Sequence, residues 1–259
     1  MSALAQPLLD WAGEVGLVAF TVFLRIGACL AFLPAFGEQT VPARVRLGLA
    51  FAFCALVLPL MAPQLLPKVA SDWTWGFAVA EILNGLVLGF VFRLLVMALN
   101  IAGMIAASAT SLAQIFGGGV GVDPQPAIGN AMVVAGIALA TLGGLHVKVV
   151  EAMLLSYTIL PAGIWPLAND LAEWAMRDVA RAFALGFALA APFTVAAFIY
   201  NLALGVINRA MPQLMVAFVG APALTLGGLL LMALSLPFAL ESWMAVMDAT
   251  LRDPFGAGH

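Results

Sequence analysis

Few side chains in this sequence could do chemistry, and those few stand apart from one another. The histidines are His146 and His259. His146 lies in "GGLHVKVVEA", near Glu151, but general-base or nucleophilic catalysis needs a second group within hydrogen-bond reach and a third to orient it. A single imidazole at a helix end reads more simply as an interfacial residue. No G-x-S-x-G, H-E-x-x-H or G-x-x-x-x-G-K-[ST] occurs. Cys29 and Cys54 each sit inside an apolar run, where a thiol acts as a small buried hydrophobe. The stretch "GGGVGVDP", which starts at Gly117, invites comparison with a phosphate cradle. It holds no Lys, Ser or Thr for phosphate or magnesium and never completes G-x-G-x-x-G. The residues therefore assign no catalytic, cofactor-binding or metal site, and the expectation is a protein that is not an enzyme.

Charge within apolar sequence is the stronger signal, because an ionisable group at membrane depth needs a partner or a function. Arg25, Glu81 and Arg93 meet that description. Glu81 and Asn84 share one helix face, and Gly85 and Gly89 form a GxxxG pattern that lets another helix approach closely. An unpaired guanidinium at Arg25 would be costly, so it should find an acceptor in this chain or in an adjacent subunit. Glu81 is the in-chain candidate. A proton or ion path would want several carboxylates facing one another, and Glu81 is the only one embedded in a long apolar span. A buried hydrogen bond or salt bridge between helices explains these residues better than a transport route.

The elements that must position them are membrane helices. Of 259 residues, 64% are hydrophobic and 9% charged, and the mean hydropathy is +1.10. Soluble domains carry about 25% charged residues, so no water-soluble surface can be built from this chain. The net charge of −3 comes with no basic face, which argues against nucleic acid as a partner. The N-terminal "MSALAQPLLDWAGEVG" lacks the positive n-region of a cleavable signal peptide, so the first apolar segment is expected to be retained. About 20 apolar residues span a bilayer. Uncharged runs of that size occupy 47–67, 94–122, 182–208 and 210–240. The run 124–147 is interrupted by His146, 15–37 by Arg25 and 75–92 by Glu81. About six long hydrophobic helices follow, with shorter ones around 101–116 and 149–161. Arg209 alone separates the last two runs, which predicts a tight helical hairpin. Arg44 and Arg46 place the loop after the first helix in the cytoplasm by the positive-inside rule, whereas Lys148, Arg177 and Arg181 blur the bias. "PLANDLAEWAMRDVARAF", residues 166–183, reads as an amphipathic interface or connector helix, with Asn169 as cap and Arg177 four residues after Glu173.

Two longer stretches carry a family resemblance. In "LRIGACLAFLPAFGEQTVPARVRLGLAFAFCALVLP", residues 24–59, Arg25 in the first apolar helix precedes Pro34, a short polar loop, Pro42, and Arg44 and Arg46 at the start of the next helix. In "LALGVINRAMPQLMVAFVGAPALTLGGLLLM", residues 202–232, Arg209, Pro212 and Gln213 occupy the hairpin turn. Together with "AGMIAASATSLAQIF" and "SYTILPAG", in that order, the sequence resembles the FliR family of flagellar export proteins and is similar to its virulence counterparts, the SctT family. The resemblance covers nearly the whole chain.

That resemblance implies an all-α, multi-helix integral membrane protein, with a FliP-like part over 1–178, a FliQ-like helical hairpin over 179–240 and a short C-terminal tail over 241–259. It implies a structural pore subunit of the type III export gate in the bacterial inner membrane, at the flagellar basal body. The implied partners are FliP-like and FliQ-like subunits in a hetero-oligomer, FlhB-like and FlhA-like proteins packed on that core, and unfolded substrates in transit. Energy would come from the proton motive force and a separate ATPase, with no cofactor on this chain. The family's pore loop falls, by order along the chain, at about 111–126. Phe116, Gly117, Gly118, Gly119, Val120, Gly121 and Val122 are then the expected plug, with glycines free to adopt backbone shapes other residues resist and Phe116, Val120 and Val122 as an apolar seal. A plain linker between two helices is the competing reading of that stretch, and an ion-coupled multi-pass transporter is the competing reading of the whole.

Overall fold

The computed structural model describes the backbone of residues 2–38, 41–111, 127–210 and 216–255, and side chains within 13–38, 41–109, 128–210 and 226–255. Seven α-helices and no strand occur among them: α1 (Ser2–Phe32), α2 (Ala43–Asp72), α3 (Trp75–Ser111), α4 (Ala127–Leu142), α5 (Leu145–Ile159), α6 (Ala168–Ala210) and α7 (Val216–Arg252). Five helical stretches are long and apolar enough to cross a membrane: Gly13–Phe32, Ala43–Asp72, Trp75–Ala109, Ala168–Ala210 and Leu226–Arg252. The α4–α5 pair makes a sixth if it forms one span. This is an all-α integral membrane protein.

Helix boundaries follow local chemistry. Pro42, extended at ψ 142°, stands before α2, where a missing N–H costs nothing because the first turn has no acceptor for it. Between α4 and α5, Gly144 takes a φ of +80°, a conformation that β-carbons disfavour. The break therefore falls at Gly143–Gly144 and not at Lys148. Two expected breaks are absent. The expected short helix near 101–116 is, as far as Ser111, the end of α3. The amphipathic 166–183 segment continues without interruption into the apolar run as one 43-residue helix, α6, which starts at Ala168. Nothing between the charged turns and the apolar turns interrupts the backbone bonding, and Trp174 buries itself on the inward side. α7 runs on through Arg252 because Leu240, Trp243, Met247 and Leu251 keep a helical spacing of buried positions past Glu241.

The chain divides into two compact units. One draws on the stretches up to Leu94, from Thr141 to Asp178 and from Met247 on; the other on Leu95–Ala140 and Val179–Val246. In the first, α1 packs on α2, and α2 on α5. Val18, Val22, Ile26, Leu30 and Leu33 form the buried stripe of α1. α1 and α3 run parallel there, since contacts climb both helices together from Arg25–Gly85 through Cys29–Gly89 to Glu38–Arg93. Lys148 pairs with Asp248 at 2.6 Å, and the Trp174 indole N–H donates to the Pro254 carbonyl at 3.3 Å. Those two bonds hold the end of α7 to α5 and α6.

In the second unit, Ala106, Ala109, Phe193 and Ala197 form a core cluster, with Ile128, Leu231 and Met232 packed against it. Leu231 and Met232 of α7 thus pack on a cluster to which α6 contributes Phe193 and Ala197. Trp243 is buried and its indole N–H donates to the Leu95 carbonyl at 2.8 Å. α3 and α4 cross with Gly103 against Gly129, so closely that a Cβ at Gly103 would collide with the partner backbone. Lipid tails are as apolar as leucine, so helices in a membrane associate through such close packing and through hydrogen bonds more than through hydrophobic burial.

Candidate functional site

Three helices of the first unit converge on one buried guanidinium. Arg25 sits about three-quarters of the way along α1 and is 1% exposed; Glu81, in the second turn of α3, is 0% exposed. Arg25 Nε donates to Glu81 Oε2 at 2.8 Å, and Nη2 donates to Oε1 at 3.0 Å. The planar fork of Arg meets a carboxylate through two parallel bonds, a geometry Lys cannot reproduce. The remaining donors reach α5 and the turn after it: Nη1 to Ser156 Oγ at 3.2 Å and Nη2 to the Leu160 carbonyl at 3.0 Å. The guanidinium carbon lies 3.8 Å from the centre of the Tyr157 ring, a cation–π contact strengthened by exclusion from water.

Glu81 has a further donor. The Gly163 N–H reaches its Oε1 at 2.9 Å, and Gly163 can aim it there because its φ is +75°. A side chain at that position would be strained and its Cβ would collide with the Phe77 ring. One helix turn past Glu81, the Asn84 Nδ2 amide donates to the Ile164 carbonyl at 3.2 Å. Among the described residues, Asn84 Oδ1 and the Tyr157 hydroxyl, both buried, have no hydrogen-bond partner.

The approach of α1 to α3 that allows all this is set by glycine. A Cβ at Gly85 would strike the Arg25 carbonyl, and one at Gly89 would come to 2.6 Å from the Cys29 carbonyl. The GxxxG pattern of α3 is thus the face that receives α1. Gly85 seats the backbone of the residue whose side chain bonds Glu81 four positions earlier. The charges of the pair balance, and both carboxylate oxygens and all three guanidinium nitrogens are engaged. Chemically it is a clamp that fixes α1, α3 and the end of α5 to one another.

The other residues singled out by sequence are placed as follows. Pro34 is buried at the end of α1, Pro42 precedes α2, and Arg44 is exposed in its first turn. Arg46 Nη2 donates to the Glu38 carbonyl at 3.0 Å, while the Glu38 carboxylate pairs with Arg93 at 2.7 Å. The polar loop between α1 and α2 is therefore held from both sides. Arg209 lies exposed in the last turn of α6, where a cation complements the helix dipole. Phe116 to Val122, and Pro212 and Gln213, lie outside the described residues. The sequence pattern does not assign Ser156 and Tyr157 to Arg25, or Gly163 to Glu81, although all three fall within the "SYTILPAG" stretch.

Comparison with known proteins follows the same outline. Residues 17–250 match the family described as "Bacterial export proteins, family 1". The chain is 35% identical over 87% of its length to the flagellar biosynthetic protein FliR of Caulobacter vibrioides, 91% of which is covered. It is 29% identical over 90% of its length to FliR of Escherichia coli, with 88% of that protein covered. It is also similar to the Yop proteins translocation protein T of Yersinia pestis, at 26% identity over 80% of this chain and 81% of the other.

Proposed function

This chain belongs to the bacterial export proteins, family 1, and from that premise we propose that it is the FliR-type structural subunit of a flagellar type III export gate in the bacterial inner membrane. The observation that carries the reading is the match to FliR of Caulobacter vibrioides across nearly the full length of both chains. The similarity to a virulence translocation protein is weaker, with lower identity and lower coverage of both chains. In this reading the chain joins FliP-like and FliQ-like subunits, FlhB-like and FlhA-like proteins pack against the assembly, and unfolded export substrates pass along it.

Roles then fall to particular residues. The Arg25–Glu81 clamp makes α1, α3 and the end of α5 one rigid body, so that forces from a passing chain do not separate them. The hairpin over 179–240, with Arg209 at its turn, is the FliQ-like part, and residues 1–178 are the FliP-like part. The glycine-rich stretch from Phe116 to Val122 joins α3 to α4 and serves as the plug: its glycines yield to a substrate, and Phe116, Val120 and Val122 close the path when none is present.

Deleting the chain in its own host and following secreted proteins tests the assignment. Loss of hook and filament proteins from the medium, restored by a plasmid copy, is the expected result. Continued secretion of those proteins with loss of virulence effectors would transfer the chain to the other branch.

A further inference from the structure

Helix α2 contains Pro59, Pro63 and Pro67, one every four residues. A proline has no N–H, so the carbonyl four residues before it loses its helical donor. Along α2 those carbonyls belong to Ala55, Pro59 and Pro63. With a rise of about 1.5 Å per residue they lie on the same stripe, about 6 Å apart. Ala55, Pro59, Pro63 and Pro67 are all exposed, whereas Ala50, Phe53, Cys54 and Val57 of the same helix are buried. Among the described residues no side chain donates to any of the three carbonyls. A proline inside a membrane helix is tolerated when a neighbouring helix, a hydroxyl or water replaces the lost bond; hydrocarbon cannot.

A second feature marks the same face. Gly48, Ala52 and Ala55 precede the prolines and are exposed, and a Cβ at Gly48 would touch nothing within 4 Å. Gly48 and Ala52 have the small-xxx-small spacing that brings two helix backbones together in a membrane. Leu56 and Leu60, 58% and 56% exposed, flank the stripe, so an aqueous lining is disfavoured there. Three carbonyl oxygens deprived of their i+4 donor form a row of partial negative charge, and its complement is a row of N–H or O–H groups.

We propose that this stripe of α2 seats a helix from a neighbouring gate subunit, and that the incoming helix presents hydroxyl, amide or guanidinium donors to the carbonyls of Ala55, Pro59 and Pro63. The proposal rests on the reading of the chain as a gate subunit and adds the surface and the chemistry of the contact.

The test uses the full chain in native membranes. A photo-activated benzophenone residue at Leu56 should crosslink to a membrane helix of another gate protein, and the modified peptide should carry Ser, Thr, Asn, Gln, Lys or Arg within one turn of the adduct. Gly48→Leu should leave the amount and helicity of the chain unchanged, since its side chain meets nothing within the chain, while recovery of gate partners on the chain falls about tenfold through loss of close backbone approach. Adducts to lipid alone, a crosslinked helix without donors, or parental recovery of partners by Gly48→Leu would each overturn the proposal. If the unsubstituted chain recovers no gate partner, it is the gate reading that has failed and not the assignment of this face.

Discussion

Replacing Arg25 by Met should be among the most damaging single substitutions in the chain. The guanidinium supplies two bonds to Glu81, one to Ser156 and one to the Leu160 carbonyl. Without it the Glu81 carboxylate, 0% exposed, keeps only the Gly163 N–H among the described residues. Removing one member of a buried ion pair typically costs about 3–5 kcal/mol, because the other charge stays buried and uncompensated. Replacing both members by apolar side chains of similar size is often close to neutral. Here the double change Arg25→Met with Glu81→Leu also strands the Gly163 N–H, and an orphaned buried donor costs about 1–3 kcal/mol. The expected pattern is about 3–5 kcal/mol for either single change and about 1–3 kcal/mol for the double, far below the sum of the singles. Equilibrium unfolding of the purified chain in mixed detergent, followed by circular dichroism, gives all three numbers. Glu81→Gln, which keeps shape but not charge, should fall with the singles. An Arg25→Met chain within about 1 kcal/mol of the parent, or singles that simply add, would refute the argument that the clamp is a coupled, desolvated pair.

The helix approach gives a contrast within one element pair: Gly85→Ala should destabilise by about 1–3 kcal/mol through overpacking, whereas Gly27→Ala, with nothing within 4 Å of its Cβ, should be neutral or stabilising by up to about 1 kcal/mol. The same unfolding assay reads both, and equal effects would deny α1–α3 contact through Gly85. Gly163→Ala combines a strained φ with a collision at Phe77 and should cost about 1–3 kcal/mol; a melt at the parental temperature would contradict the turn that aims its N–H at Glu81. The half-exposed Arg93–Glu38 pair should matter much less, with Arg93→Gln within about 1 kcal/mol of the parent. Deleting Gly117 to Gly121 should leave assembly intact but let ions leak across the inner membrane, while alanines there should stiffen the loop and slow export; a tight deletion exporting at the parental rate would make the stretch only a connection.

How much of this was legible in the sequence depended on the range of the cause. Apolar runs fix the membrane helices locally, so the span count and the all-α class were readable. The Arg25–Glu81 partnership was also readable, because so few charges occur in the apolar spans that Arg25 had one in-chain candidate. Its remaining partners were not: Ser156 and Leu160 meet Arg25 across a sequence separation of 131 and 135 residues, and the Gly163 N–H reaches Glu81 through a turn whose direction depends on one positive φ. Helix ends were misjudged where charge was taken as a stop. Asp170 to Arg181 sit on a helix that simply continues, and Glu241 interrupts hydropathy without interrupting the buried spacing of Leu240, Trp243, Met247 and Leu251. Pro59, Pro63 and Pro67 lie inside one unbroken α2, as the uninterrupted apolar run 47–67 expects.

The most direct test of the central claim is to purify the tagged chain from its native membrane in mild detergent and identify what accompanies it by mass spectrometry of the intact assembly. A heteromeric core in which this chain is bound to FliP-like and FliQ-like proteins is the predicted result. A homodimer, or the chain alone under conditions that preserve other membrane complexes of the same cells, would contradict it.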